Sequence, residues 1–274
     1  MKKFWKAVSL TAAVGLIAVS LAGCGNADQD KTKDNNATGG VDRASKLVMA
    51  TNASFPPFEY VVANNGLVGQ FDGIDVAIAM EIAADANKTL EVSDMDFNSI
   101  VSAVSAGKAD MGIAGMTVKP DRLENVDFSD TYWVAMQTIL VQGENADITN
   151  VQSLAGKSVG VITGYTGDSA ITEANIAGID IRRYNKGVDA VADLKNKKLD
   201  AVVIDSPTAA SFIQKNPELK GIEDDQFFEK EEYAICVKKG NAELLEQINK
   251  TIKRLKDSGR IEAIAAEVDA RVTE

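Results

Sequence analysis

A chain of 274 residues carrying 29 basic and 40 acidic side chains, with a formal charge of −11, has room for one large domain or two of ordinary size. Its acidic balance repels a phosphate backbone, and no basic patch with interleaved aromatics occurs, which excludes nucleic acid as an expected partner. There is no histidine, so the commonest general base and every Ser-His-Asp or Cys-His arrangement are missing. Nor does the chain contain a P-loop, a G-x-G-x-x-G turn, a Cys-x-x-Cys pair or a metalloprotease helix, so no enzyme activity, cofactor or metal is expected.

The N-terminus carries Lys2, Lys3 and Lys6, an apolar run from Ala7 to Leu21, and then Leu21-Ala22-Gly23-Cys24. Charge, apolar stretch and small residues in that order predict a secretory signal over 1–23. The stretch is shorter than the ~20 apolar residues a membrane-spanning helix needs. The tetrad resembles a bacterial lipobox, which makes Cys24 the expected lipidation site and the expected membrane anchor. Loss of 1–23 removes three lysines and no acid, which takes the charge from −11 to −14. Residues 24–45 are almost free of large apolar side chains and read as a disordered tether. The second cysteine, Cys236, sits in an apolar strand-like run, so no disulfide is expected.

The folded part is expected to begin at Lys46 with the strand KLVMAT, followed by a loop whose Pro56 and Pro57 forbid helix. Asn64-Asn65-Gly66 marks a turn between short strands. Apolar spacing predicts a helix from Ile74 to Ala84, then another over Phe97–Ala106 with Asn98 as its N-cap and Gly107 as its stop. Val126–Val141 is strand-prone and leaves the first lobe. Leu154–Ile162 reads as a fresh first strand, Phe227–Val237 as the crossing back, and Ala242–Val268 as helix broken at Ser258-Gly259. The stretch AVSAGKADMGIAG, Ala103–Gly115, recurs as DLKNKKLDAVVID, Asp193–Asp205, with Asp110 matching Asp200 and Gly115 matching Asp205. Helix then strand, used twice, predicts two α/β lobes: 46–135 with a return segment 232–274, and 136–231 between them, joined by a two-segment hinge. Ligands of open α/β sheets sit beyond the carboxyl ends of strands, so the lobes would frame a binding cleft.

Two charged residues stand at such strand ends. Pro120 suits the first turn of a helix and places Arg122 at a helix start, where its planar guanidinium would grip a carboxylate; an ordinary surface cation is the plain alternative. Asp205 ends the matching strand of the second lobe and would attract an ammonium group; capping of the following helix is the alternative. Together they complement a zwitterion. Phe55 and Phe97 are either core or apolar walls for a ligand side chain. Thr163, Tyr165 and Thr166 are either turn residues or donors to a carboxylate.

The pieces ATNASFPPFEY (50–60), GIDVAIAMEIA (73–83), DFNSIVSAVSAGKADMGIAGMTVKPDR (96–122), VDFSDTYW (126–133), LAGKSVGVITGYTG (154–167) and LDAVVIDSPTA (199–209) resemble, in that order, the extracytoplasmic solute-binding proteins of polar amino-acid ABC transporters. The resemblance implies the type II periplasmic-binding-protein fold. It also implies a free α-amino acid as ligand, ABC permease subunits as partners, and a monomer tethered to the membrane outside the cell. It places Phe55 and Phe97 on the ligand, Gly115, Thr117, Arg122 and Thr166 on its carboxylate, and Asp205 on its ammonium group. Where binders of basic amino acids in this family often carry an acid, this chain has Asn52, which shifts the expectation to a neutral polar amino acid; Glu59, Asp72 and Asp75 are the acids able to reverse it. Tyr165 is a second departure, standing where smaller residues are common. A small-acid dehydratase on the same fold and an amino-acid sensing module are the alternative functions.

Overall fold

The computed structural model describes residues 45–272. The expected leader 1–23, the lipidation site Cys24 and all but the last residue of the tether lie outside these. The chain runs through β1 (Lys46–Thr51), β2 (Ser54–Phe55), β3 (Glu59–Val61), β4 (Phe71–Asp72), α1 (Ile74–Asp85), β5 (Thr89–Asp94), α2 (Phe97–Ser105), β6 (Met111–Gly112), α3 (Pro120–Leu123), β7 (Val126–Phe128) and β8 (Trp133–Ala135). It continues with β9 (Gln137–Gln142), β10 (Ser158–Ile162), α4 (Thr166–Glu173), β11 (Asp180–Tyr184), α5 (Gly187–Lys195), β12 (Ala201–Asp205), α6 (Ser206–Lys215), β13 (Leu219–Glu223), β14 (Glu231–Tyr233), β15 (Cys236–Lys238), α7 (Ala242–Asp257) and α8 (Arg260–Val272).

Two five-stranded sheets carry the mixed α/β fold, ordered β5-β1-β6-β15-β7 and β11-β10-β12-β9-β13. In each, three parallel strands are followed by an antiparallel fourth: β15 against β6 in the first lobe, β9 against β12 in the second. The sequence repeat has a matching physical role in both. The Asp110 carboxylate accepts the Val48 N–H at 2.8 Å, and the Asp200 carboxylate accepts the Ser158 N–H at 2.8 Å, so each repeat pins the start of its strand to the lobe's first strand. β8 and β14 pair antiparallel where the chain crosses between lobes.

Parallel sheets covered on both faces need apolar side chains on both. Accordingly Ala201 and Val203 of β12 enter one apolar cluster and Val202 and Ile204 the other. In α1, Ile74, Val76, Ile78, Ala79, Ile82 and Ala83 are all buried, a helix apolar around much of its circumference, and α7 and α8 cover it. Each such Ile or Val contributes roughly 1.5–3 kcal/mol by leaving water. Cys236 is a free, buried thiol pushed up to about 12 by burial.

The expected cap of α2 is corrected. Asp96, not Asn98, stands at the N-cap, and its side chain makes no cap bond; its carboxylate instead accepts from Asn185 of the other lobe at 3.3 Å. Gly73, at the start of α1, has φ 128°, and a Cβ there would lie 2.1 Å from the Phe58 carbonyl oxygen. Gly69 also has positive φ, 63°, but opens on free space. We therefore expect Gly69→Ala to cost about 1 kcal/mol and Gly73→Ala more than about 3 kcal/mol, a backbone collision added to strain. Urea denaturation of the two variants checks the order.

Candidate functional site

The backbone leaves β6 through Gly115, whose φ of +52° and closeness to the Phe55 ring, 2.5 Å from where a Cβ would sit, admit only glycine without rearrangement. The Gly115 N–H donates to Asp75 at 2.8 Å, and Tyr132 donates to the same oxygen at 2.9 Å. Glu59 packs beside Asp75, fully buried, with no ordinary donor to either oxygen among the described residues. Two carboxyl groups in contact bond only if one keeps its proton. Burial first, then the charge of Asp75, pushes Glu59 well above the usual carboxylate range, while burial raises Asp75 to about 6. Glu59 is thus the protonated partner.

Pro120 occupies the first turn of α3, as expected. Arg122 is only 7% exposed, which removes the surface-cation alternative. Its Nη1 donates to the Thr117 carbonyl at 2.7 Å and its Nη2 to the Gly164 carbonyl of the other lobe at 3.0 Å. Its guanidinium carbon stands 5.0 Å from the Phe97 ring centre. Among the described residues no carboxylate comes within ion-pair distance of it. Burial pushes the guanidinium down, with Asp121, Glu231 and Asp205 pulling it back.

Asp205 stands at the N-cap position of α6 but makes no side-chain cap bond, which removes the capping alternative. It is 3% exposed and accepts from the Tyr233 hydroxyl at 2.5 Å. Burial, reinforced by Glu231, raises its pKa to about 7. Glu231 accepts from Thr117 at 2.7 Å and from Gln137 at 3.0 Å, and Thr166 donates to the Thr117 hydroxyl across the lobes at 3.1 Å.

Of the residues singled out in the sequence, Asn52, Phe55, Phe97, Gly115, Thr117, Arg122, Thr166 and Asp205 gather where the lobes meet. Thr163 stands apart in its bonding: its hydroxyl donates to the Tyr184 carbonyl of β11 at 3.2 Å. Asp72 pairs with Arg271 at 2.9 Å. Glu231, Tyr233 and Gln137 were not singled out. The available signal was the crossing segment itself, since a chain returning between lobes has to pass the cleft.

The model of the bacterial extracellular solute-binding proteins, family 3, matches residues 47–267. The chain belongs to that family. It is a solute-binding protein rather than an enzyme, and the dehydratase alternative falls. The arginine-binding extracellular protein ArtP of Bacillus subtilis (strain 168) is 32% identical over 250 residues, covering 90% of this chain and 92% of ArtP. A solved ancestral arginine-binding protein bound to arginine is 36% identical with a TM-score of 0.76, covering 81% of this chain and 97% of that one. A solved ancestral arginine-binding protein bound to glutamine is 35% identical with a TM-score of 0.74, covering 81% of this chain and 97% of that one.

The raised carboxyls have a consequence for the unliganded protein. A folded-state pKa above the ordinary 3.8, about 6 for Asp75 and about 7 for Asp205, means the folded state holds protons the unfolded chain has released. Stability therefore falls as pH rises from about 4 to about 7. Asp205→Asn should flatten the upper part of that fall and raise stability at pH 8 by about 1–3 kcal/mol, with little gain at pH 4. Thermal unfolding of both proteins at the two pH values measures it.

Proposed function

We propose that the protein binds a free α-amino acid between its lobes and delivers it to the membrane subunits of an ABC permease, held outside the cell by lipid on Cys24. The observation that carries this reading is a pair of buried, opposite charges on different lobes that do not neutralise each other. Among the described residues Arg122 donates to backbone carbonyls and pairs with no carboxylate, and Asp205 accepts from the uncharged groups of Tyr233 and Gln137. A ligand carboxylate answers the first and a ligand ammonium the second. Gly115, Thr117 and Thr166 flank the carboxylate side.

For the ligand side chain, Asn52 presents an acceptor oxygen and no formal charge, which supports a neutral polar amino acid whose side chain ends in a donor, glutamine first. Arginine is the second reading. It is favoured by the likeness to ArtP.

A thermal-shift screen of the twenty amino acids tests the reading. A ligand at 100 times its Kd stabilises by about 2.7 kcal/mol, and no response to any amino acid would reject it. Arg122→Lys keeps the charge but loses the planar fork, and affinity should drop at least tenfold, since a broken buried charge pair costs about 2–5 kcal/mol. Because the ammonium needs ionised Asp205, affinity should tighten as pH rises from about 5 toward about 7 and level off above; calorimetry across that range measures both effects. Cys24→Ala should move the protein from the membrane fraction to the soluble one or leave it as unprocessed precursor.

A further inference from the structure

The space between Phe55 and Phe97, where a ligand side chain would lie, is taken by a residue of the protein itself. The Tyr165 ring centre is 5.3 Å from that of Phe55, edge-on, and 4.4 Å from that of Phe97. Its hydroxyl donates to the Asn52 side-chain oxygen at 3.0 Å. Ser54 donates to that oxygen at 3.1 Å, and the Asn52 amide donates to the Met95 carbonyl at 2.8 Å. With Tyr165 in place, the Asn52 oxygen accepts two hydrogen bonds and has no lone pair left for a ligand.

We propose that Tyr165 is a specificity-determining stand-in for the ligand side chain, which the ligand has to displace in order to bind. The proposal rests on the amino-acid reading above. Three observations separate Tyr165 from an ordinary core tyrosine. Its backbone belongs to the second lobe, at the start of α4, yet each ring and side-chain contact named above is with the first lobe. The ring takes up the three groups, Asn52, Phe55 and Phe97, expected to meet a ligand side chain. And Gly164 precedes it, with φ +81° and exposed to solvent, a position where the backbone has freedom to turn the ring out.

Displacement selects among ligands. An incoming side chain has to replace both things Tyr165 supplies: a flat face between two phenylalanines and a donor to the Asn52 oxygen. Amide and guanidinium side chains offer both; aliphatic side chains offer neither and leave the acceptor short of a partner. The occupied form is not competent to bind, so apparent affinity is the intrinsic affinity reduced by the fraction of molecules with the ring turned out.

Calorimetry with glutamine and arginine on wild type, Tyr165→Phe and Tyr165→Thr tests the proposal. Tyr165→Thr removes the occupant and should tighten binding of whichever amino acid the wild type takes by roughly tenfold. Tyr165→Phe keeps the ring, frees Asn52, and should tighten it by a smaller factor. Leucine, weak for wild type, should gain more from Tyr165→Thr than the preferred ligand does. Unchanged or weaker binding in Tyr165→Thr would overturn the displacement. Should that variant fail to fold, Tyr165→Phe decides by the same criterion. If wild type and both variants bind no amino acid at all, the amino-acid reading itself falls and the displacement with it, an outcome distinct from binding that Tyr165 does not affect.

Discussion

A guanidinium taken out of water has to be answered, and in this protein Arg122 is answered by carbonyl oxygens from both lobes at once, Thr117 on its own side and Gly164 on the other. Carbonyl dipoles satisfy the donors without cancelling the charge. The geometry around it follows. Pro120 starts the short α3 that presents Arg122, Gly115 bends the chain close to Phe55, and Asp75 holds the Gly115 amide in place. On the far side Asp205 sits in a field made more negative by Glu231 and keeps its charge only reluctantly. Each lobe thus carries one buried charged group that the other lobe does not neutralise, the arrangement on which the proposed zwitterion site rests.

The Glu59–Asp75 pair shows how such a site is kept firm without an ion pair. A neutral carboxyl beside a carboxylate gives one bond and one charge in a volume where two charges would repel. Asp75 uses its charge on two donors, Gly115 and Tyr132, so the backbone turn at Gly115 and the crossing region near Tyr132 share one anchor.

Much of this was legible in the sequence because period and punctuation are local. KLVMAT, the α1 spacing and the Ser258-Gly259 break each became the expected element, and the repeated helix–strand unit became two sheets of matching order. Arg122 and Asp205 were legible because strand ends and helix starts are written in adjacent residues. The cap of α2 was not legible because Asp and Asn cap about equally well, so their chemistry does not choose between Asp96 and Asn98; Asp96 holds the position with its side chain turned to Asn185 of the other lobe. Glu231, Gln137 and Tyr233 were not legible, because their partners Thr117 and Asp205 are far away in the chain. Nor was the position of the Tyr165 ring, since a side chain reaching into the opposite lobe has no periodic signature.

The strand orders also set a timetable for the chain as it is made. Every strand of the β11-β10-β12-β9-β13 sheet lies between Gln137 and Glu223, so that half is complete as soon as the segment has emerged. The other sheet waits: β15, Cys236–Lys238, sits between β6 and β7 and pairs with both, and the α7 and α8 cover arrives last of all. Until the final stretch is delivered, β6 and β7 lack the strand that separates them, and the apolar flank of α1 stands open to water. A chain made N-terminus first therefore passes its synthesis with its earlier-made half unfinished, exposed to wrong partners for longest at its own beginning.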